Sequence, residues 1–295
     1  GFFEDGERVP VMPGIAVQDL DIREKPYFPY RGFQIDQRYT APYWSLDEWK
    51  AEIDWRVKKK MNLMWFSPAL VRGNTWSVPA DEHPSGTTSE RYLANKRTWE
   101  AMGLGLGLDT SEDDATRMGR AVIEYARQRG MEIVSFAGFG GAVPKAFKDK
   151  YPDCKYFELA WEETAPTIQI DPTDPMYAHV LELQLREHIK LFGTDHRYEF
   201  GIYGESNPGN SREDGIRLRI AVAESVSKAI RAVDPEGLWQ LDSWCFQGHP
   251  DLSTEELQRV LAVIPDDVVY ILDIWGEAYH LYERYKFFFG KTWGF

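Results

Sequence analysis

The sequence predicts an α/β fold, a (β/α)8 TIM-type barrel, and three observations support this prediction. Apolar strand patterns alternate with amphipathic helix patterns along the chain, which indicates a parallel sheet. The 295 residues, 43% of them hydrophobic, are enough for one barrel with a large core. No G-x-G-x-x-G segment follows a predicted strand, so an open dinucleotide-binding sheet loses its main support. The barrel is therefore favoured over an open sheet.

The predicted helices begin with capping signals, which satisfy the free backbone amides of a first turn. These signals are a capping box of Ser45 with Glu48, a second box over 111–114, and Asp174 followed by Pro175. The predicted strands are short apolar runs between the helices. They cover residues 30–36, 61–66, 131–136, 198–203, 238–244 and 268–274.

A single domain is predicted because no linker, repeat or low-complexity tract divides the chain. Residues 1–29 are interpreted as an N-terminal lead-in segment and residues 30–295 as the catalytic (β/α) barrel. The chain begins at Gly1 without an initiator Met, so it is expected to be a piece of a longer protein.

The composition excludes several classes of partner. There are 34 Lys and Arg against 47 Asp and Glu, and the net charge of −13 repels phosphate backbones and anionic membranes. No nucleic-acid partner and no membrane span are therefore predicted, and no cofactor or metal is predicted. Two cysteines make no disulfide framework. No feature of the sequence predicts an oligomeric state.

Two glutamates stand where the active site of a parallel barrel gathers, at the carboxyl ends of the strands. Glu205 and Glu277 each follow an aromatic residue and a glycine after an apolar strand. Glycoside hydrolysis needs such a pair, since one carboxyl group protonates the leaving oxygen while the other attacks the anomeric carbon or directs water at it. Glu205 and Glu277 are the predicted catalytic residues.

The aromatic content agrees with a carbohydrate substrate, because 11 Trp, 15 Tyr and 16 Phe exceed what the core requires. The apolar face of a sugar ring packs on aromatic side chains, and its hydroxyl groups need polar partners. The predicted substrate-binding residues are Gln34, Asp36, Trp65, Tyr203, Asn207, Asp242, Trp244, Gln247, His249, Trp275 and Trp293.

Two alternatives remain open at this point. One is a carbohydrate-binding barrel without catalysis. The other is a metal-dependent lyase or isomerase in which Asp242, Asp273 and Glu277 hold Mg²⁺, although no partnering lysine follows a neighbouring strand. The histidines show no zinc-ligand spacing, and no G-x-S-x-G nucleophile motif occurs.

The chain resembles the α-N-acetylglucosaminidases of glycoside hydrolase family 89 through most of its length. The similar segments, in order, are Trp49-Lys50-Ala51-Glu52-Ile53-Asp54-Trp55, Asp171-Pro172 with Asp174-Pro175, Phe192-Gly193-Thr194-Asp195-His196, Ala232-Val233-Asp234 with Leu238-Trp239 and Trp244, and Ile271-Leu272-Asp273 with Glu277. Taken singly these motifs are weak, but in this order and spacing they are specific.

The resemblance implies exo-acting removal of α-linked N-acetylglucosamine with retention of configuration. It also implies that Glu205 is the acid/base and Glu277 the nucleophile, and that the protein is secreted, periplasmic or lysosomal. The family's sequence continues past the segment similar to 290–293, so the barrel is expected to be incomplete at the C-terminus. The family's two flanking domains are expected to be absent from the chain.

Departures from the family pattern concern the surroundings of the sugar. Gly204 replaces the asparagine before the acid/base, and Ala142 replaces a histidine. Residues 33–36 replace an Asn-Val-Cys-Thr segment, and residues 65–69 lack the glutamate of a Trp-Ser-Gly-Gln-Glu segment. The sugar cleaved is therefore expected to differ from N-acetylglucosamine in some respect, with the catalytic pair kept.

Overall fold

The computed structural model describes residues 14, 21, 23–32, 37, 41–73, 92–136, 142–160, 166–247, 251–274 and 279–294. Their contacts divide the chain into two units, residues 1–30 and residues 31–295, and every described helix and strand lies in the second. A functional division of the chain at residue 30 stays a prediction.

The described strands form one large parallel sheet and one hairpin. In chain order they are β1 (Leu63–Phe66), β2 (Glu132–Phe136), β3 (Tyr156–Leu159), β4 (Thr167–Ile170), β5 (Arg197–Glu199), β6 (Leu238–Asp242), β7 (Val269–Leu272) and β8 (Thr292–Gly294). Six of them pair in the order β1-β2-β5-β6-β7-β8, every neighbouring pair being parallel. The antiparallel β3-β4 pair stands apart.

One described helix precedes β1, and the others lie between later strands of the chain. They are α1 (Leu46–Lys58), α2 (Leu93–Ala101), α3 (Asp114–Gln128), α4 (Lys145–Lys150), α5 (Pro175–Phe192), α6 (Arg212–Val233), α7 (Thr254–Ala262) and α8 (Leu281–Arg284). Three short 3-10 helices cover Pro68–Gly73, Ser243–Phe246 and Lys286–Gly290. No helix in the described ranges is both long and apolar enough to cross a bilayer.

The structure confirms two of the three predicted helix starts. Ser45 and Glu48 form a complete capping box on α1, and the Asp174 carboxylate caps α5 with Pro175 in its first turn. The predicted box at 111–114 is wrong, because the carboxylate of Asp113 caps α3 by accepting from the amide of Thr116. The N-cap of α3 lies two residues later than the pattern predicts, because Asp113 alone caps this helix and no reciprocal glutamate is present.

The two faces of the parallel sheet differ in chemistry because side chains alternate along a strand. On the helix side, Tyr198, Trp239 and Ile271 are buried in the main apolar core together with residues of α5, α6 and α7. The other face carries Glu199 and Gln240, which are in register on β5 and β6. The face away from the helices is thus partly polar, as a substrate-facing side would be.

The six parallel strands with helices between them fit an incomplete (β/α) barrel. A parallel bridge between Gly32 and Leu63 adds a further point of pairing beside β1. A Cβ atom on Gly32 would lie 2.9 Å from the Leu63 carbonyl oxygen, so this close approach requires glycine. Closure into eight strands stays a prediction.

Candidate active site

The carboxyl end of β5 leads into the loop that carries Glu205. The predicted strand over 198–203 is too long, because β5 ends at Glu199 and the backbone then leaves the sheet. Tyr203 and Glu205 both adopt left-handed φ angles, 51° and 59°. Residues other than glycine seldom occupy this region, so the loop has an unusual conformation where the candidate acid/base stands.

The side chain of Glu205 is held by the neighbouring strand end. Trp244 donates its indole N–H to Oε1 of Glu205 at 2.6 Å, and the carboxyl group is half-buried. Trp244 belongs to the 3-10 helix that follows β6, and the carboxylate of Asp242 caps this helix by accepting from the Trp244 amide at 2.6 Å. The structure therefore brings together three of the predicted site residues.

The same turn also reaches the end of β7. Ser243 donates its hydroxyl to Oδ1 of Asp273 at 3.1 Å and accepts from the amide of Ile274 at 3.2 Å. Asp273 is fully buried and accepts from the amide of Tyr282 through its other oxygen. Asp242, Ser243 and Trp244 thus connect the Glu205 loop to the segment that precedes Glu277.

A buried thiol lies under the Glu205 loop. Cys245 accepts a hydrogen bond from the amide of Ile202 at 3.3 Å, and burial raises the pKa of this thiol to about 12. Cβ atoms built on Gly201 and Gly204 would meet the Cys245 sulfur at 3.7 and 3.6 Å, which is ordinary contact. Gly204 therefore has room for a small side chain beside Trp244 and Cys245.

A polar row crosses the sheet below the loop, and the sequence analysis did not identify it. Gln240 donates to Oε2 of Glu199 at 3.3 Å, and Tyr270 donates its hydroxyl to the Gln240 side-chain oxygen. Glu199 and Gln240 are buried, and the three side chains are in register on β5, β6 and β7. Polar residues at every second position of an otherwise apolar strand are the signal that could have found this row.

Two predicted substrate-binding residues, Trp65 and Trp293, lie on β1 and β8, which do not neighbour β5 in the sheet. Trp65 lies two strands from β5 in the sheet and packs with Leu70 and Val134. Trp293 is in register with Ile271 of the apolar core, and its ring stacks on Tyr282.

The ring of Tyr203 contacts Phe157 of β3 edge to face, although its backbone belongs to the Glu205 loop. Asn207 is exposed and Gln247 is half-buried at the end of the 3-10 helix after β6. Their roles as sugar ligands stay predictions. The remaining predicted residues lie outside the described ranges: Gln34, Asp36, His249, Trp275 and the second glutamate, Glu277.

Within the described ranges no three acidic, histidine or cysteine side chains converge as an ion would need, and Glu277, the third ligand of the metal alternative, lies outside these ranges. Asp242 caps a 3-10 helix, and Asp273 accepts from Ser243 and Tyr282. Both carboxylates are thus engaged by donors of the protein.

Comparison with known proteins gives consistent matches. Residues 30–295 match the family model described as Alpha-N-acetylglucosaminidase (NAGLU) tim-barrel domain. The human protein named Alpha-N-acetylglucosaminidase is 26% identical over 302 aligned positions, which cover 96% of this chain and 39% of the human protein. The chain therefore spans well under half the length of this relative.

Two solved structures from Clostridium perfringens show a similar fold. One is a family 89 glycoside hydrolase in complex with 2-acetamido-1,2-dideoxynojirmycin, with a TM-score of 0.60 and 18% identity over 85% of this chain and 29% of the other. The second is in complex with its substrate GlcNAc-alpha-1,4-galactose, with a TM-score of 0.60 and 15% identity over 88% of this chain and 30% of the other. At these identities the likeness concerns the fold.

Proposed function

Because the chain belongs to the family of the alpha-N-acetylglucosaminidase (NAGLU) tim-barrel domain, we propose that it is the catalytic barrel of a retaining glycoside hydrolase acting on α-linked sugars. The observation that carries the proposal is the placement of Glu205. Its half-buried carboxyl group follows β5 at the carboxyl edge of the sheet, where the indole of Trp244 orients it.

The proposed reaction has two displacement steps. In the first, a carboxylate oxygen of Glu277 bonds to the anomeric carbon while Glu205 protonates the glycosidic oxygen, and the bond to the leaving group breaks. In the second, Glu205 takes a proton from water, the water oxygen bonds to the anomeric carbon, and Glu277 is released. The sugar leaves with its original configuration, and Glu205 has regained its proton.

The distance between the two carboxyl groups decides the stereochemical outcome of the reaction. Retention requires the two carboxyl groups to lie about 5 to 5.5 Å apart, and a gap near 8 Å would indicate inversion. The Asp242-Ser243-Trp244 turn contacts both the Glu205 side chain and the segment leading to Glu277. This contact supports the proposal because the end of β7, from which the chain continues to Glu277, touches the same turn that holds Glu205.

The proposed substrate class is an α-linked sugar, with N-acetylglucosamine as the first to test. The names of the relatives support it, since the human protein is an Alpha-N-acetylglucosaminidase and the clostridial one is complexed with a GlcNAc-alpha-linked disaccharide. Gly204 lacks a side chain at a position where a Cβ atom would contact Trp244 and Cys245 at 3.6 Å, which supports a sugar pocket of altered shape. A secreted, periplasmic or lysosomal location stays a prediction from the resemblance.

The test is hydrolysis of α- and β-linked nitrophenyl glycosides by the wild type, by Glu205→Gln and by Glu277→Ala. We expect one α-glycoside to be cleaved, both variants to lose at least about 100-fold in kcat, and NMR to show the α-anomer as first product. Glu255→Gln is the control, because this exposed glutamate lies in the first turn of α7 and is not a predicted site residue.

Two outcomes would contradict the proposal. Normal turnover by Glu277→Ala would remove the nucleophile assignment. Sugar binding by the wild type without hydrolysis of any glycoside would favour a carbohydrate-binding barrel instead.

A further inference from the structure

We propose that Arg219 is a positioning residue that fixes Glu205 for its acid/base role, an inference that rests on the proposed function. Arg219 lies on α6, behind the Glu205 loop. Its Nη2 atom donates to the carbonyl oxygen of Ser206 at 2.8 Å and to that of Tyr203 at 3.2 Å. These two carbonyl groups flank Glu205 on either side, so one guanidinium group spans the turn that presents the carboxyl group.

Burial of the charged Arg219 side chain costs desolvation free energy, so a specific role for this residue is expected. Its side chain is 1% exposed, and burial lowers the pKa of the guanidinium to about 10, so it remains charged at neutral pH. Within the described ranges no carboxylate forms an ion pair with it, and its Nε atom has no hydrogen-bond partner. Neutralising a buried cation by backbone carbonyl groups alone is uncommon, because paired carboxylates do so better.

The backbone that Arg219 holds is strained. Tyr203 and Glu205 have φ angles of 51° and 59°, and such residues persist only where their surroundings determine the conformation. The Arg219 guanidinium also lies 6.0 Å from the centre of the Tyr203 ring, so it contacts the turn through both backbone and side chain. The buried charge and the strained backbone therefore both lie next to Glu205.

Arg219 does not reach the substrate in this arrangement and acts through Glu205. A displacement of about 1 Å in a catalytic group can reduce a rate by about 100-fold. Such a displacement would impair proton transfer to the leaving oxygen. The loss should therefore be large for leaving groups that need protonation and small for those that do not.

The experiment compares Arg219→Met and Arg219→Lys with the wild type on two substrates of the same sugar. One is an alkyl α-glycoside, whose leaving group needs a proton, and the other is the α-glycosyl fluoride, whose leaving group needs little assistance. We expect Arg219→Met to lose about 100-fold in kcat/KM on the alkyl glycoside and under about threefold in kcat/KM on the fluoride, because kcat/KM reports the first step, in which Glu205 acts as the acid. Arg219→Lys keeps the charge on a shorter side chain, so its loss should be intermediate.

The control is Arg217→Met on the same helix. Arg217 is partly exposed and pairs with Asp214 at 2.8 Å and Asp171 at 3.5 Å, away from the Glu205 turn. It should keep wild-type rates on both substrates. Equal losses of kcat/KM on the two substrates in Arg219→Met would overturn the inference, since a general loss of folded protein has no leaving-group preference, and so would an unchanged kcat/KM on both.

A second readout does not depend on activity. Hydrogen–deuterium exchange of the amides of 203–206 should be faster in Arg219→Met and Arg219→Lys than in Arg217→Met, with exchange within α6 unchanged. Unchanged exchange at 203–206 would overturn the positioning role even if the protein cleaves no glycoside. A wild type that cleaves nothing while these amides respond to Arg219 would instead refute the proposed function and leave the structural role of Arg219 supported.

Discussion

At the scale of single residues, Trp244 has two possible roles that substitution can separate. Its indole N–H holds Glu205 at 2.6 Å, and its ring is a predicted sugar platform. Trp244→Phe keeps an aromatic ring and removes the donor. We expect kcat to fall by about 10- to 100-fold, the equivalent of one hydrogen bond to a charged group, with KM nearly unchanged.

Steady-state kinetics of Trp244→Phe beside Trp244→Ala provide the measurement. The alanine variant should also raise KM, because it removes the platform. Wild-type kcat in Trp244→Phe would show that the hydrogen bond to Glu205 does not matter for catalysis.

His188 gives a second prediction at this scale, for stability. It lies on α5 behind the sheet, fully buried, with Nδ1 2.6 Å from the Tyr92 hydroxyl and Nε2 2.9 Å from the Ser135 hydroxyl. Burial, with a smaller contribution from the charge of Arg127, lowers the pKa of His188 to about 3. In the unfolded chain this imidazole takes up a proton near pH 6.5, whereas the folded protein keeps it neutral down to about pH 3. Protonation therefore favours the unfolded chain increasingly as the pH falls from about 6.5 to about 3.

The free energy of unfolding should therefore fall by about 1.4 kcal/mol for each pH unit below about 6.5 because of this one group. His188→Gln removes the titration. We expect the difference in stability between wild type and variant to shrink by about 2 kcal/mol between pH 7 and pH 5, measured by urea unfolding. A constant difference across this range would show that His188 binds its proton with the same pKa in the folded and unfolded protein.

At the scale of elements, the two confirmed helix caps should differ in strength. The Ser45 cap of α1 is exposed and serves that helix alone. The Asp174 carboxylate caps α5 through the amide of Met176 and also accepts from the amide of Lys155 at 2.9 Å, next to β3. Asp174 therefore stabilises two elements.

We expect Ser45→Ala to lower the free energy of unfolding by about 1 kcal/mol and Asp174→Ala by about 2 to 3 kcal/mol. Urea unfolding at pH 7 is the measurement. Equal losses in the two variants would mean that the bond to Lys155 adds nothing.

The elements that the sequence predicts well are those with a strong period and a clear cap. Residues of α1, α5 and α6 repeat apolar side chains at helical spacing, and the structure places those residues in the cores. The β3-β4 hairpin was not predicted, because its strands are short and only partly buried. The end of β5 was misplaced because Phe200 and Ile202 continue the apolar pattern after the backbone has left the sheet.

At the scale of the whole molecule, sequence patterns predict the edge of the sheet where the candidate site lies, but not the buried residues behind it. The structure brings Glu205 and Trp244 into contact because residues that follow neighbouring parallel strands meet at one edge of the sheet. Arg219 could not be found this way. It lies in the middle of an amphipathic helix, and only the three-dimensional packing shows that its guanidinium points under the loop.

The sequence does not show which face of the sheet a strand residue occupies. Trp239 on β6 is buried in the helix-side core, and Trp293 on β8 packs against that core. A shift of one residue along a strand reverses the face, and short strands leave this choice undetermined in the sequence.

The thiol of Cys245 lies beneath the Glu205 loop, so its reaction with a thiol reagent can report movement of that loop. The sulfur is covered by the loop, and its high pKa leaves almost no reactive thiolate while the loop is closed. In Cys154→Ser, Cys245 is the one remaining thiol. A maleimide should then label Cys245 slowly, and more slowly still when a sugar occupies the site. The rate of adduct formation, followed by mass spectrometry, therefore measures how readily the Glu205 loop uncovers the sulfur.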